Sequence, residues 1–135
     1  MKINEDLLGT IPKDIENLKS SIKLLWKNSK PNSTFNAQTI TLNSSNYTHY
    51  MVIFETSSSG AVLCNTGLIP KAVRCELSTT YAEGNNWYVR YRGLNSATAT
   101  QLSFKDAITD SKGGVQSTNN TFNIPLYVIG FNLGI

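Results

Sequence analysis

Hydrophobic positions along the chain follow two different periods. From Leu8 to Leu25 they recur three and four residues apart, which is the spacing of one face of an α-helix. After Pro31 the dominant period is two, the spacing of side chains on one face of a β-strand. The sequence therefore predicts an N-terminal helical segment in residues 1–30 and a β domain in residues 31–135.

The helical segment has a heptad pattern with six apolar residues on its seam: Leu8, Ile11, Ile15, Leu18, Ile22 and Leu25. A helix of this length is marginal alone in water, so the seam must be buried. It either packs on its own domain or pairs with copies of itself in a parallel coiled coil. We favour the coiled coil because the segment is terminal and polar on its other faces. Alternating isoleucine and leucine at positions 15 to 25 is the preference of two-stranded coiled coils.

The β domain is predicted to contain seven short strands separated by clusters of turn-forming residues. They are expected at residues 34–42, 47–56, 61–65, 72–80, 87–91, 98–104 and 122–131. This spacing is typical of an antiparallel β-sandwich, which we expect to be jelly-roll-like. Residues 51–54 and 126–129 are continuously apolar, which indicates central strands or strands covered on their second face by another subunit. Pro125 predicts either a bulge in the last strand or pairing that begins only after the proline.

Composition and charge narrow the class of partner. The chain has 12 Lys+Arg against 9 Asp+Glu, and six of the cations precede Pro31. Arginine occurs only at Arg74, Arg90 and Arg92, which does not form the basic stripe of a nucleic-acid-binding protein. No segment approaches the roughly 20 apolar residues of a membrane span, and acids at Glu5 and Asp6 interrupt any signal-peptide pattern. We therefore expect neither nucleic-acid binding nor membrane insertion.

Catalytic motifs are not found in the sequence. It contains no Gly-x-Ser-x-Gly elbow, no Cys-x-x-Cys or His-x-x-x-His metal spacing and no phosphate loop before a helix. Asp106 and Asp110 are expected to be solvated loop residues rather than a catalytic pair. Cys64 and Cys75 are expected to be ordinary strand thiols unless neighbouring strands bring them together. The prediction is a protein that is not an enzyme and has no cofactor and no metal.

Binding chemistry is concentrated in residues 81–92. An aromatic ring can cover the apolar side of a sugar, while amides and guanidinium groups bond its hydroxyls. The candidate ligand-binding residues are Tyr81, Asn85, Asn86, Trp87, Tyr88, Arg90 and Arg92. An alternative remains open, because Trp87, Val89 and Tyr91 share one strand face and that face could instead be core.

Two segments resemble a known group of proteins. Residues 35–42, Phe-Asn-Ala-Gln-Thr-Ile-Thr-Leu, and residues 120–131, Asn-Thr-Phe-Asn-Ile-Pro-Leu-Tyr-Val-Ile-Gly-Phe, are similar to strands that open and close the C-terminal head domains of phage and prophage tail and baseplate proteins. The likeness covers about the last hundred residues. Its motifs are framework strands, so no binding residue can be transferred from the group.

The resemblance implies a function. A short helix followed by a β head is similar to small receptor-binding proteins at phage tail tips. Such a protein would be a homotrimer that stands on other tail or baseplate proteins and touches host cell-wall polysaccharide with its heads. It would belong to the virion and assemble in the host cytoplasm. A second interpretation is a purely structural tail subunit that makes only protein contacts. A third is a secreted lectin-like module.

Overall fold

The structure is a computed structural model that describes residues 5–59 and 62–134, with side chains described from Pro12 onward except Asp14. One helix precedes ten strands. Their bounds are α1 Glu5–Ser21, β1 Ile22–Lys27, β2 Gln38–Thr41, β3 His49–Ser57, β4 Leu63–Asn65, β5 Ile69–Pro70, β6 Cys75–Glu83, β7 Asn86–Thr98, β8 Gln101–Ser111, β9 Val115–Thr118 and β10 Phe122–Phe131. In the described residues no helix is long and apolar enough to cross a membrane.

The predicted helix is wrong beyond Ser21. The hydroxyl of Ser21 donates to the carbonyl oxygen of Leu18 at 2.7 Å, which occupies an acceptor at the helix end. Ile22 then begins β1, which pairs antiparallel with β10. Leu25, expected on the helical seam, is buried in the core of the β domain at 1% exposure. Pairing with β10 therefore overrides the three-four spacing at the last two seam positions.

The other seam positions differ in what the structure describes. Ile15 is 50% exposed and Leu18 is 64% exposed, so these two side chains are not buried against the β domain. The side chains of Leu8 and Ile11 lie outside the described residues. Within its described residues the single chain thus shows no coiled coil, and it leaves Ile15 and Leu18 in contact with solvent.

The ten strands form two antiparallel sheets. The first sheet has the order β1-β10-β3-β4, with β5 also pairing with β3. The second sheet has the order β2-β8-β7-β6, with β9 also pairing with β8. Each sheet therefore contains strands from both ends of the β domain, so neither sheet can form before distant segments meet.

Both sheets contribute to one hydrophobic core, because each has a face of alternate buried residues. From the first sheet the core includes Leu25, Tyr50, Val52, Phe54, Ile124, Leu126 and Val128. From the second sheet it includes Ile40, Leu77, Leu94, Leu102 and Phe104. The predicted bulge occurs after Pro125, where the pairing of β10 with β3 shifts register.

Several strands differ from their predicted extent. The last strand matches its predicted bounds, whereas β7 and β8 continue well beyond residues 91 and 104. Asp106 and Asp110 consequently lie in β8, so their assignment to a loop was wrong. The strands β1, β5 and β9 were not predicted. All four residues of β9 are exposed, which explains why it carries no hydrophobic alternation.

Buried polar groups join strands both between the two sheets and within the first sheet. Arg92 on β7 is fully buried and donates to the carbonyl oxygens of Asn123, Lys105 and Phe122 at 2.9, 2.6 and 3.1 Å. Asn28, just after β1, is also buried and donates to the carbonyl oxygen of Pro125 at 2.8 Å. Cys64 and Cys75 are free thiols.

Candidate functional site

The predicted binding segment forms the β6–β7 hairpin. Its turn contains Gly84, whose φ of +59° is a conformation that glycine adopts without a Cβ penalty. Because side chains alternate across each strand, the seven candidate ligand residues divide between two faces and the turn. The structure therefore does not bring them into one site.

Arg92 lies on the inner face and is unable to touch a surface ligand in this structure. Its side chain has no exposed surface, and three main-chain carbonyls accept hydrogen bonds from it. Burial lowers the pKa of Arg92 to about 10, and the negative charge of Asp106 acts in the opposite direction. Its role in this structure is to join β7 to β10 and β8.

Arg90, Tyr81 and Tyr88 share the same inner face near the hairpin end, where they form a stack with Phe122. The guanidinium carbon of Arg90 lies 3.4 Å from the Phe122 ring centroid and 4.1 Å from that of Tyr81. Tyr81 in turn stacks on Tyr88 with centroids 4.8 Å apart and planes 14° apart. Arg90 Nη2 donates to the Tyr81 hydroxyl at 2.7 Å. The rings of Phe122 and Tyr81 therefore both lie within cation–π distance of the Arg90 guanidinium.

A groove of about 500 Å³ runs beside this stack, and Tyr81 and Arg90 are among its lining residues. Val62 and Cys64 contribute to it from the first sheet, and Thr79 contributes from the second. Arg90 Nε is buried and has no hydrogen-bond partner among the residues that the structure describes. The two tyrosines and Arg90 are thus partly buried packing residues at the border of a groove.

Trp87 lies on the opposite, outer face of the second sheet and is 65% exposed. Val89 follows on the same face at 38% exposure, and Tyr91 comes next. The alternative in which this face is core is therefore wrong. The register explains why: Arg92 pairs with Leu77 and Ala107, both fully buried, so the Arg92 face is the inner one. Asn85 and Asn86 are exposed at the hairpin turn.

Two rows of cross-strand neighbours complete the outer face. In one row Thr80, Val89, Asp110 and Gln116 are paired in turn across β6, β7, β8 and β9. In the next row the paired residues are Ser78, Tyr91, Ile108 and Thr118. We call these eight residues and Trp87 the aromatic face.

Gln116 organises the polar part of the aromatic face. Its side-chain Nε2 donates to the Tyr91 hydroxyl and to Asp110 Oδ2, both at 3.3 Å. The amide therefore holds the tyrosine ring and the carboxylate beside each other on adjacent strands. Groups fixed in this way lose little conformational entropy when a ligand binds.

The chemistry of the aromatic face suits a neutral polyhydroxyl ligand. Trp87, Val89 and Tyr91 supply a flat apolar strip on one strand, and amide, carboxylate and hydroxyl groups flank it on neighbouring strands. Such groups can both donate to and accept from sugar hydroxyls. Asp110 is the one formally charged member of this surface, so charge does not dominate recognition.

Sequence reasoning named Trp87 as a candidate but missed two of the polar residues that share its face. Asp110 was assigned to a loop, and Gln116 lies on a strand that was not predicted. The signal that could have found Asp110 is the alternation of Ala107, Thr109 and Ser111 with larger side chains at Ile108 and Asp110. No pattern in the sequence around Gln116 predicts its position. It lies on the aromatic face because β9 pairs with β8.

No protein family matches the chain, and comparisons with curated proteins and with solved structures give no significant match. Function is therefore inferred from the geometry of the chain's own residues and from the resemblance of its opening and closing strands.

Proposed function

We propose that this chain is a receptor-binding protein of a phage or prophage tail tip or baseplate, which attaches the virion to host cell-surface carbohydrate as a homotrimer. The observation that carries the proposal is the solvent-exposed aromatic face around Trp87. Residues 35–42 and 120–131, which resemble the framework strands of such heads, support the class of protein. The two sheets would then be the jelly-roll-like β-sandwich of the head.

The binding step assigns a role to each part of the aromatic face. The ring of Trp87 stacks on the apolar side of a sugar ring, and Tyr91 extends this platform along β7. Asp110 and Gln116 bond hydroxyls at the edge of the same sugar or its neighbour. A surface open along four strands accommodates an extended polysaccharide better than a small enclosed ligand.

Multiple copies make a shallow site sufficient. One open aromatic face binds a sugar weakly, whereas several tethered faces raise avidity by roughly 10²–10⁴-fold without new contacts. The exposed side chains of Ile15 and Leu18 on α1 are available for association between copies. In the assembled virion α1 would lie towards the other tail or baseplate proteins, after assembly in the host cytoplasm.

The proposal is tested with full-length protein carrying a fluorescent label on its lysines. We expect it to decorate cells of a susceptible bacterium and to be displaced by purified cell-wall polysaccharide. A Trp87→Ala protein labelled in the same way serves as the matched control and should bind far less. If the wild-type protein binds neither cells nor polysaccharide across a panel of candidate hosts, adhesion is excluded. The purely structural tail subunit then becomes the better assignment.

A further inference from the structure

The outer face of the first sheet is apolar across three strands. Register defines its rows: Ile22, Phe131 and His49 in the first, Leu24, Ile129 and Met51 in the second, and Lys27, Tyr127, Ile53 and Asn65 in the third. Ile22 and Leu24 are 47% and 49% exposed. We call these ten residues the apolar face.

The apolar face breaks the alternation expected of an antiparallel sheet with one side in water. Such a sheet places apolar residues inward and polar residues outward. Here the inward residues Val52 and Val128 are fully buried, yet their neighbours Met51 and Ile129 on the outward side are also apolar. Exposed apolar patches mark interaction surfaces, and in this one Ile22 and Leu24 are exposed while Met51 and Ile129 are half-buried.

The helix α1 directly precedes β1, the edge strand of the apolar face. No linker separates α1 from β1, since Ser21 ends the helix and Ile22 begins the strand. The exposed side chains of Ile15 and Leu18 therefore precede Ile22 and Leu24 with only a few residues between them. The asparagine after β10 secures this junction, because the Asn132 N–H donates to the Ser21 carbonyl oxygen at 2.7 Å.

The area of these surfaces indicates how they are used. With strands about 4.8 Å apart and same-face residues about 6.7 Å apart, ten positions cover roughly 320 Å² in projection. A helix the length of α1 adds roughly 250 Å², at about 25 Å by 10 Å. A standard interface takes about 800 Å² of accessible surface from each partner. Accessible area exceeds projected area because side chains protrude from the surface. The apolar face and α1 together therefore approach about 800 Å² of accessible surface, whereas neither does alone.

We propose that the apolar face is the surface through which copies of this chain associate, as one continuous interface with α1. Three copies can turn these faces towards a common axis without repulsion: Lys27, at one corner, is the charged member of the set, and its ammonium lies 6.0 Å from the Tyr127 ring centroid. The apolar face offers an acidic or basic partner of another kind little charge to bind. The inference rests on the homotrimer of the proposed function, but not on its carbohydrate ligand.

Leu24→Glu in the full-length protein tests this assignment. It is an edge-strand position, and the substitution places a charge at the centre of the interface. Light scattering should shift from three times 14.9 kDa for the wild type towards 14.9 kDa for the variant at the same concentration. Leu24→Met and Val115→Glu, the latter at a 68% exposed position on β9, are the matched controls and should keep the wild-type mass. A Leu24→Glu protein that stays assembled would overturn the inference.

A second measurement needs no variant and holds even where Leu24→Glu fails to fold. Met51 lies in the middle row, so its oxidation by dilute peroxide should be several-fold slower in assembled wild-type protein than after dilution to single chains. Equal rates in the two states would place Met51 outside the interface and contradict the proposal. Free methionine in the same tube supplies the reference rate.

The outcomes separate the two proposals. If the wild-type protein does not bind polysaccharide but still associates, and Leu24→Glu abolishes that association, the carbohydrate function is excluded and the interface is supported. If Leu18→Glu dissociates the assembly and Leu24→Glu does not, the homotrimer is supported but the apolar face is not part of its interface. A wild type that is a single chain at all concentrations removes both the homotrimer and the interface.

Discussion

Arg92 Nε donates a hydrogen bond to the main-chain carbonyl oxygen of Asn123 at 2.9 Å, and both residues are fully buried. The bond joins β7 of the second sheet to β10 of the first. Asn123 also bonds in the opposite direction, because its side-chain amide donates to the carbonyl oxygens of Leu77 and Arg90 in the second sheet at 2.8 and 2.9 Å. Its φ of +48° is left-handed, a conformation that asparagine tolerates better than most residues. The two sheets are thus held together by hydrogen bonds as well as by apolar contacts.

Arg92→Met is expected to destabilise the fold by about 3 kcal/mol or more. The substitution keeps an unbranched side chain but leaves three buried carbonyl oxygens without their donor, and each such loss costs about 1–3 kcal/mol. Urea denaturation followed by tryptophan fluorescence measures the change. Arg74→Met, at an exposed position, is the matched control and should stay within about 0.5 kcal/mol of wild type. An Arg92→Met protein as stable as this control would contradict the assigned role.

Gly130→Ala is expected to cost about 1–3 kcal/mol, because β10 and Leu25 of β1 approach too closely for a side chain. A Cβ at Gly130 would lie 2.6 Å from Leu25 Cδ1 and 3.1 Å from Tyr47 Cβ. Leu25→Ala alone should also destabilise, by about 2–5 kcal/mol, since Leu25 is buried. The double variant should lose less stability than the sum of the two, because the smaller residue makes room for the new methyl group. Strict additivity in urea denaturation would argue against this contact.

Asp106→Asn is expected to reduce the acid sensitivity of the fold. The pKa of Asp106 is lowered, first by the Ala37 N–H and then by the Asn120 side-chain amide, both donating to Oδ1 at 2.9 and 2.8 Å. A lowered folded-state pKa means that the carboxylate stabilises the fold above its unfolded pKa of about 3.9. That contribution is lost as the pH falls through the lower, folded value.

The measurement is the urea midpoint at pH 7, 4, 3 and 2. The Asp106→Asn protein should be less stable than wild type at pH 7, and the difference should shrink as the pH falls below about 4. Glu83→Gln, at the exposed end of β6, is the matched control and should follow the wild type. A difference that stays constant from pH 7 to pH 2 would show that the ionised carboxylate is not what stabilises this region.

Trp87→Ala is expected to weaken polysaccharide binding by about fivefold or more, since an aromatic platform contributes on the order of 1 kcal/mol beyond area burial. The fold should be retained within about 0.5 kcal/mol, because the side chain is 65% exposed. Titration calorimetry with cell-wall polysaccharide gives the affinity, and urea denaturation gives the stability. Leu63→Ala, 66% exposed on the first sheet, is the matched control. Equal affinities for the two variants would remove Trp87 from the site.

The N-terminal segment shows where local pattern failed. Apolar residues at 15, 18, 22 and 25 keep helical spacing, so nothing in that spacing ends the helix at Ser21. The run from Ile22 to Trp26 also fits a strand, and the free edge of β10 decides between the two by supplying backbone hydrogen bonds and a buried place for Leu25. By contrast β10 has its predicted bounds because its continuous apolar run and flanking turn residues leave no competing period.

The sequence by itself determined the β class, an irregularity of pairing at Pro125 and the exclusion of common catalytic motifs, because these depend on local period and on residue type. Only the tertiary structure decided which side of β7 faces solvent. Alternation of side chains gives β7 two faces but does not show which of them is buried, because both contain aromatic residues. The Arg92 face became the inner one because carbonyls of β8 and β10 satisfy its guanidinium there, which left Trp87 in water.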